Sequence, residues 1–204
     1  MKPSMADNLS TPHSARPHSV SGRSQQALVA IVYANEAYPQ STFEQMVEDC
    51  RGRELRLAGV LQHPVCFANA GHCDVALEDL TTGLRTDLFE DRGRGAKGCR
   101  LDVAALAEVN AQVARSLQAK PELLILNKFG KVEVEDDGLL DLIAVAVDRG
   151  IPVVIGVPFR NLDAWRKFAG GMSVEFSSDP SEAKHWLRRT FPVAVAQSPE
   201  PASC

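Results

Sequence analysis

The sequence predicts an α/β fold of three layers, in which helices cover both faces of a mostly parallel sheet. Short, uninterrupted apolar runs such as 28–33 and 123–127 are typical of strands that are buried on both faces. Segments with helical spacing of apolar residues follow most of these runs, and parallel sheets require this alternation of strand and helix. In such a fold a ligand binds beyond the carboxyl ends of the strands.

The elements alternate along the chain. We expect strands at 28–33, 57–62, 123–127, 151–157 and 172–176, and helices at 41–53, 102–118, 139–149, 162–168 and 181–189. Ser41 and Glu44 have the spacing of a capping box, and Asp102 is a second N-cap candidate. The alternating segment 74–80, followed by Thr-Thr-Gly and the segment 84–89, predicts an antiparallel hairpin inserted into the sheet.

The composition predicts a soluble globular protein. Of 204 residues, 45% are apolar and 24% are charged, and no apolar run approaches the roughly 20 residues of a membrane helix. We expect one domain at 27–193, between a disordered leader at 1–26 and a disordered tail at 194–204. The five cysteines are odd in number and no apolar signal segment precedes them, so we expect a cytoplasmic protein.

The distribution of charge indicates a local anion site. The net charge is −4, and residues 27–193 carry −5, which argues against broad nucleic-acid binding. The exception is the segment 92–100, which has four cations and three glycines before a helix start. Guanidinium groups and flexible backbone N–H groups capture anions, and the alternative is a mobile surface loop. The candidate ligands here are Arg92, Arg94, Lys97 and Arg100.

The loop after the first strand, 34–42, lies where a phosphate-binding P-loop would be. It has neither the glycines nor the lysine that a P-loop needs. Ser41 and Thr42 are candidates to hold an anion at the helix N-terminus, where backbone N–H groups are free. The alternative, which the spacing favours, is that Ser41 only caps the helix.

The loop after the strand 123–127 begins with Asn127-Lys128, where a metal-dependent nucleoside triphosphatase would have carboxylates that hold Mg²⁺. Asn127 is a candidate hydrogen-bond donor to an oxyanion, and Lys128 and Lys131 are candidates to supply positive charge. The alternative is that both lysines pair with the acidic residues that follow.

A zinc site is a weaker candidate. Two residues separate His63 from Cys66, and His72 adjoins Cys73, so a mixed Cys/His site is conceivable. Adjacent residues of a strand point to opposite faces, which argues against it, and we expect no metal.

Three segments in the order 73–83, 123–133 and 150–154 resemble the bacterial family DUF2478, which is similar to the THEP-type P-loop nucleoside triphosphatases. Those enzymes have an Asp-Leu-x-x-Gly turn, which 79–83 matches, and an Asp-Glu-x-Gly-Lys-x-Glu segment, of which 127–133 is a variant. The resemblance extends over about 27–176 and implies a P-loop-NTPase-like fold. It also implies degenerate nucleotide-binding motifs, because Gly-Lys-Ser/Thr is missing and Asn-Lys replaces Asp-Glu.

These departures argue against hydrolysis. Some members of the family are linked by name to molybdenum transport or metabolism, and molybdate is a tetrahedral oxyanion that suits a basic site. The leading hypothesis is a non-hydrolytic, P-loop-like binding protein for a small oxyanion or a phosphate-bearing ligand, with molybdate and phosphate as the candidate anions.

Two alternatives stay open. The first is a divergent Mg-dependent nucleotide hydrolase or transferase that uses Glu133, Asp136 or Asp137, so whether the protein is an enzyme stays open too. The second is an adaptor or regulatory subunit without a small ligand, whose Trp165 face docks a protein partner. If no partner binds there, we expect Trp165 and Trp186 to be large apolar residues of the core. A homo-oligomer also stays open, whereas we expect neither nucleic acid nor a membrane as partner.

Overall fold

The computed structural model describes residues 28–66, 73–90, 100–130 and 140–192, so the predicted leader at 1–26 and the tail at 194–204 lie outside it. The strands are β1 (Leu28–Tyr33), β2 (Leu57–Cys66), β3 (Cys73–Asp79), β4 (Arg85–Asp87), β5 (Phe89–Glu90), β6 (Arg100–Leu101), β7 (Leu123–Lys128), β8 (Val153–Pro158) and β9 (Ser173–Phe176). The helices are α1 (Gln40–Arg51), α2 (Val103–Gln118), α3 (Leu140–Asp148), α4 (Leu162–Ala169) and α5 (Pro180–Thr190), and a 3₁₀ turn spans Phe159–Asn161.

Seven of these strands form one sheet in the order β4-β3-β2-β7-β8-β1-β9. The strands β2, β7, β8, β1 and β9 are parallel, whereas β3 and β4 extend the sheet as an antiparallel hairpin. The strands β5 and β6 form a separate antiparallel pair. The predicted fold class, a mostly parallel sheet with an inserted hairpin, is confirmed.

Helices cover both faces of this sheet, because side chains alternate along its buried strands. Val29 and Ile31 pack with α1 and α5 in one apolar core, and Leu28 and Ala30 pack with α2, α3 and α4 in the other. Each core contains one of the two tryptophans. Trp165 is fully buried, so its ring offers no exposed surface to a partner.

The predicted N-cap at Ser41 is wrong. Helix α1 begins at Gln40, with Pro39 in the N-cap position and no side-chain cap. The carbonyl oxygen of Pro39 accepts hydrogen bonds from the N–H groups of Thr42 and Phe43, so Ser41 already lies inside the first turn. The N-cap at Asp102 is confirmed, since its Oδ1 accepts a hydrogen bond from the N–H of Ala105 at 2.9 Å.

The hairpin of β3 and β4 turns at Asp79. Its Oδ1 accepts hydrogen bonds from the N–H groups of Thr81 and Thr82, at 2.9 and 2.7 Å, and from the Thr82 hydroxyl at 2.9 Å. Asp79 of the Asp-Leu-x-x-Gly segment therefore stabilises a turn.

Strand β2 is longer than predicted because β3 pairs with it as far as Cys66.

Strand β2 changes its partner at Gly59. Residues 57–59 pair with β7, and the pairing with β3 begins at Val60. Gly59 has φ +109°, and a Cβ atom at this position would lie 1.8 Å from the carbonyl oxygen of Ile125. This close approach of two strands requires glycine.

The described residues contain no helix that is both long and apolar enough to cross a membrane.

Candidate site at the carboxyl edge of the sheet

The connections that leave β1 and β8 open a crevice at the carboxyl edge of the sheet. These strands are neighbours, but α1 follows β1 onto one face and α4 follows β8 onto the other. Ligands of doubly wound folds bind at such a switch point. Three described loops surround the crevice: 34–39 after β1, 127–130 at the end of β7 and 159–161 after β8.

Loop 34–39 occupies the place of a P-loop and is tied to the loop after β8. The Asn35 side chain accepts a hydrogen bond from the N–H of Arg160 at 2.9 Å, and the Arg160 guanidinium pairs with the Glu36 carboxylate at 2.6 Å. Glu36 has φ +63°, a left-handed conformation in which a side chain is uncommon. One arginine therefore holds two consecutive residues of this loop.

Aromatic rings fill the space between this loop and α1. The Tyr38 ring stacks on Phe43 with 5.4 Å between ring centroids, and its edge meets Tyr33 at 5.7 Å. Gly156 makes room for them, because a Cβ there would lie 3.3 and 3.4 Å from the rings of Tyr33 and Phe43. We call Tyr33, Tyr38 and Phe43 the aromatic plug. The Tyr38 hydroxyl is buried in the plug, and the part of the chain that the structure describes offers it no hydrogen-bond partner.

Burial makes both phenols of the plug hard to ionise. It raises the pKa of Tyr33 to about 12, while the Arg160 guanidinium acts in the opposite direction and the Glu36 carboxylate adds to the rise. Burial also raises the pKa of Tyr38 well above its ordinary value, with Tyr33 and Glu44 adding to the effect. These are the two tyrosines of the chain, so tyrosine spectroscopy reports on the plug alone.

We expect both phenols of the aromatic plug to stay protonated at a pH that ionises ordinary tyrosines, and the plug to lose stability once they do ionise. A phenol whose pKa is higher in the folded than in the unfolded protein stabilises the fold below the unfolded value of 10. That contribution is lost as the pH rises through the folded pKa of Tyr33, about 12. Ultraviolet titration of the native protein should show no tyrosinate at pH 10, whereas the urea-denatured control should be half ionised there. A native tyrosine that titrates near pH 10 would contradict the packing of the plug.

The two candidates at the start of α1 lie in different environments. Ser41 is exposed at the helix N-terminus. Thr42 is 2% exposed, and its hydroxyl donates a hydrogen bond to the carbonyl oxygen of Ser178 at 2.6 Å. The Thr42 hydroxyl therefore already has a partner, and its role as a ligand stays a prediction.

The end of β7 presents one buried and one exposed polar side chain. A register shift against β8 lies between Leu126 and Lys128, which leaves Asn127 as the extra residue of a bulge. Asn127 is 7% exposed, and its Oδ1 has no hydrogen-bond partner among the described residues. Lys128 is exposed. The sequence predicts that the Asn127 side chain donates a hydrogen bond to an anion, whereas its unpaired atom is the amide oxygen, which is an acceptor.

Phe129 anchors this loop in the core. Its ring lies 5.4 Å from Trp165 and 6.2 Å from Phe168, centroid to centroid. Its N–H donates to the carbonyl oxygen of Gly156 at 2.7 Å, and its carbonyl oxygen accepts from the Asn161 side chain at 2.8 Å. The main chain at the end of β7 is therefore fixed, which holds the side chains before it at the edge of the sheet.

A cavity of about 420 Å³ opens beside loop 34–39. Its walls include Tyr33, Asn35 and Ser178, and the exposed ring of Phe159 lies at its rim. A volume of this size is in the range of small-ligand sites.

Several predicted site residues cannot be placed in this crevice. Arg92, Arg94, Lys97, Lys131 and His72 lie outside the described residues, as do Glu133, Asp136 and Asp137. For Arg100, Cys66 and Cys73 the structure describes the strand but not the side chain. Within the described ranges, Ser41 and Thr42 lie at the start of α1, and Asn127 and Lys128 lie at the end of β7.

His63, a weak candidate for a metal ligand in the sequence, contacts a carboxylate in the structure. Its Nε2 lies 2.8 Å from Oε2 of Glu78, a carboxylate that also binds Arg51 at 3.2 Å and Arg85 at 3.1 Å. Burial opposes the ionisation of Glu78, but these hydrogen bonds outweigh it and lower the pKa of this carboxyl. In the part of the chain that the structure describes, no three His, Cys, Asp or Glu side chains are placed to hold a metal ion.

Sequence reasoning missed Arg160 and the aromatic plug. Nothing near Arg160 in the sequence marks it, because both of its partners follow β1, more than 120 residues earlier in the chain. A signal for the plug was present: of the only two tyrosines of the chain, one directly precedes the loop that replaces the P-loop and the other lies within it.

The fold belongs to the P-loop-NTPase-like class of three-layer α/β proteins. The solution structure of a human cancer-related nucleoside triphosphatase is similar, with a TM-score of 0.54 and 12% identity, over 79% of this chain and 94% of that one. The crystal structure of THEP1 from the hyperthermophile Aquifex aeolicus has a TM-score of 0.51 and 12% identity, over 79% of this chain and 95% of that one.

Residues 28–186 match DUF2478, a family described as a protein of unknown function, and the chain belongs to that family. The resemblance seen in the sequence is thus confirmed. A curated relative, the molybdenum import ATP-binding protein ModC 2 of Bradyrhizobium diazoefficiens, is 30% identical over 165 residues. That region is 80% of this chain but 18% of the relative, so the chain spans less than a fifth of the relative's length.

Proposed function

We propose that this protein is a non-hydrolytic binding domain, which holds a small oxyanion or a phosphate-bearing ligand at the carboxyl edge of its sheet. The observation that carries the proposal is the end of β7. There an amide and an ammonium group, Asn127 and Lys128, stand where hydrolysis would need a carboxylate that holds Mg²⁺. Binding an anion needs positive charge and hydrogen-bond partners, but no carboxylate.

Loop 34–39 supports the same conclusion. Its carboxylate, Glu36, is paired with Arg160 and so does not repel an anion with its full charge. Lys128 is exposed and adds positive charge at the same edge. The cavity beside this loop offers a volume that suits a small ligand.

Chain direction supports a contribution from the basic segment. Strand β4 runs antiparallel to β3 and therefore parallel to β2, so it ends at the carboxyl edge of the sheet. Strand β5 begins two residues later, at Phe89. The segment that contains Arg92, Arg94 and Lys97 follows β5, so these residues stay proposed ligands of the same anion.

Molybdate is the oxyanion to test first. The name of the curated relative states that it is a molybdenum import ATP-binding protein, and the region that matches this chain is a small part of it. Molybdate is tetrahedral and doubly charged, so it shares with phosphate the need for several donors and positive charge. We therefore propose a link to molybdate metabolism through binding of the anion.

Calorimetric titration with molybdate, tungstate, phosphate and Mg-ATP tests the function. We expect at least one of them to bind, and Lys128→Ala to weaken that binding about tenfold, because a hydrogen bond to an ion is lost. Lys167→Ala, on an exposed face of α4, is the matched control and should bind like the wild type. The proposal would be contradicted if none of the four ligands gave a heat of binding, or if Lys128→Ala and Lys167→Ala lost equal affinity.

Hydrolysis needs its own assay. We expect no Mg-dependent release of phosphate from ATP or GTP above a buffer blank, because β7 ends without a metal-binding carboxylate. Release that Glu133→Gln abolishes would instead favour the divergent hydrolase.

A further inference from the structure

We propose that a cavity at the amino edge of the sheet is a second binding site, which takes a small organic anion with an apolar or aromatic group. The cavity has a volume of about 600 Å³, against about 420 Å³ for the cavity beside loop 34–39, and both are in the range of small-ligand sites. Most of its lining lies within 118–122 and 149–152, the segments that directly precede β7 and β8. The inference goes beyond the proposed function, which concerns the opposite edge of the sheet.

Positive charge lines this cavity, and the described residues do not balance it. Lys120 and Arg149 both line the cavity and are exposed. The Arg149 guanidinium donates hydrogen bonds to two uncharged oxygens, the carbonyl oxygen of Leu117 at 3.1 Å and the side-chain oxygen of Gln118 at 3.2 Å. It thereby offsets the negative carbonyl end of α2, which would otherwise repel an anion. Within the described ranges, neither cation has a carboxylate at ion-pair distance.

The acidic side chain in the lining, Glu122, is already engaged. Its Oε2 accepts a hydrogen bond from the N–H of Arg56 at 3.0 Å and lies 3.9 Å from the Arg56 guanidinium. The same guanidinium donates to the carbonyl oxygen of Lys120 at 3.3 Å, and the carbonyl oxygen of Arg56 accepts from the N–H of Glu122 at 2.8 Å. These contacts fix the wall at 120–122 and leave the charges of Lys120 and Arg149 to attract an anion.

Apolar groups form the rest of the wall. Pro121, Ile151 and Pro152 line the cavity from buried positions. The half-buried ring of Phe191 meets the Trp186 ring edge-on, with 6.2 Å between centroids, which fixes its place. Contact with such groups stabilises a ligand only if the ligand has apolar surface of its own. A bare inorganic anion lacks such surface, so we expect an organic one.

Lys120 costs the fold conformational energy. It follows α2 with φ +53°, a left-handed conformation that glycine often provides at helix ends. Helices α3 and α4 have glycine in this place, Gly150 with φ +68° and Gly170 with φ +57°. Glycine adopts the conformation without strain. A lysine after α2 is thus a worse choice for the fold than glycine, and binding an anion gives its charge a role.

The dye anilinonaphthalene sulfonate, an aromatic anion that fluoresces when apolar groups surround it, tests the site in the full chain. We expect the native protein to bind the dye, and Lys120→Gly to weaken that binding about tenfold because a charge contact is lost. The same variant should raise Tm, since glycine relieves the left-handed residue. A loss of binding together with a gain in Tm cannot come from unfolding.

Two matched variants control for the two changes that Lys120→Gly makes. Glu54→Gly relieves a left-handed residue after α1, with φ +58°, that does not line the cavity, so it should raise Tm and keep the affinity for the dye. Lys167→Gln removes one exposed positive charge from α4 and should also keep that affinity. Benzoate should displace the dye, whereas inorganic phosphate at the same ionic strength should not, because phosphate has no apolar group.

The outcomes separate this site from the candidate anion site. Dye binding that only Lys120→Gly weakens, with displacement by benzoate and not by phosphate, supports the second site. No dye fluorescence, or equal losses in Lys120→Gly and Lys167→Gln, overturns it. Displacement by phosphate as strong as that by benzoate also overturns it, because the ligand would then need no apolar group. If Lys128→Ala rather than Lys120→Gly weakens dye binding, the dye occupies the carboxyl edge, which overturns the second site and leaves the proposed function in place.

Discussion

Replacing Gly59 by alanine is expected to cost at least ~3 kcal/mol of folding free energy. The added Cβ would lie 1.8 Å from the carbonyl oxygen of Ile125 and 2.7 Å from its carbon, and both belong to the backbone of a central strand. No rotamer change relieves such a contact. In addition, φ +109° is a conformation that few residues other than glycine adopt. Urea denaturation of the variant and the wild type measures the loss.

Gly83→Ala is a matched control for this prediction. Gly83 also has a positive φ, +74°, but its Cβ would meet no atom of the described residues within 4 Å. This variant isolates the conformational cost of alanine, about 1 kcal/mol. If the two variants lost equal stability, the close approach of β2 to β7 would not be the cause.

Replacing Phe129 by alanine is expected to cost about 3–5 kcal/mol, the range for a deleted core aromatic ring. The ring is 2% exposed and contacts Trp165 and Phe168, so its loss opens a cavity in the core between the sheet and α4. The same change releases the residues before it. At a temperature where the variant is still folded, we expect weaker anion binding, because Asn127 and Lys128 are no longer held in place.

Phe129→Leu provides the comparison. It keeps most of the apolar volume, so we expect a loss of about 1–2 kcal/mol and near-normal binding. Chemical denaturation gives the stabilities, and calorimetry with the anion that the wild type binds gives the affinities. Normal binding by a folded Phe129→Ala protein would contradict the role of this ring in positioning the end of β7.

The fold could be predicted because its signals are local. The buried parallel strands are short apolar runs in the sequence. The hairpin is indicated by the alternation of apolar and polar residues and by a Thr-Thr-Gly turn. The N-cap at Ser41 was wrong for an equally local reason. Pro39 already provides a suitable φ of −81° and an accepting carbonyl oxygen, so the helix begins one residue before the serine.

The site was harder to predict because its contacts join distant segments. Thr42 bonds to Ser178, and Glu36 pairs with Arg160, across 136 and 124 residues of chain. No periodicity encodes which residues meet at the edge of a sheet. The burial of Asn127 depends on a bulge, and the sequence shows no glycine or proline at that position to mark one.

The position of β1 also affects how the protein is made. This strand lies between β8 and β9, and both are encoded in the last third of the sequence. Pairing over such separations is slow, since the entropy of closing a long loop is lost before the contacts form. During synthesis β1 is the first of the described strands to emerge, and it cannot pair until β8 and β9 have been made. A buried, apolar strand is therefore the one that a ribosome-bound chain keeps unpaired longest.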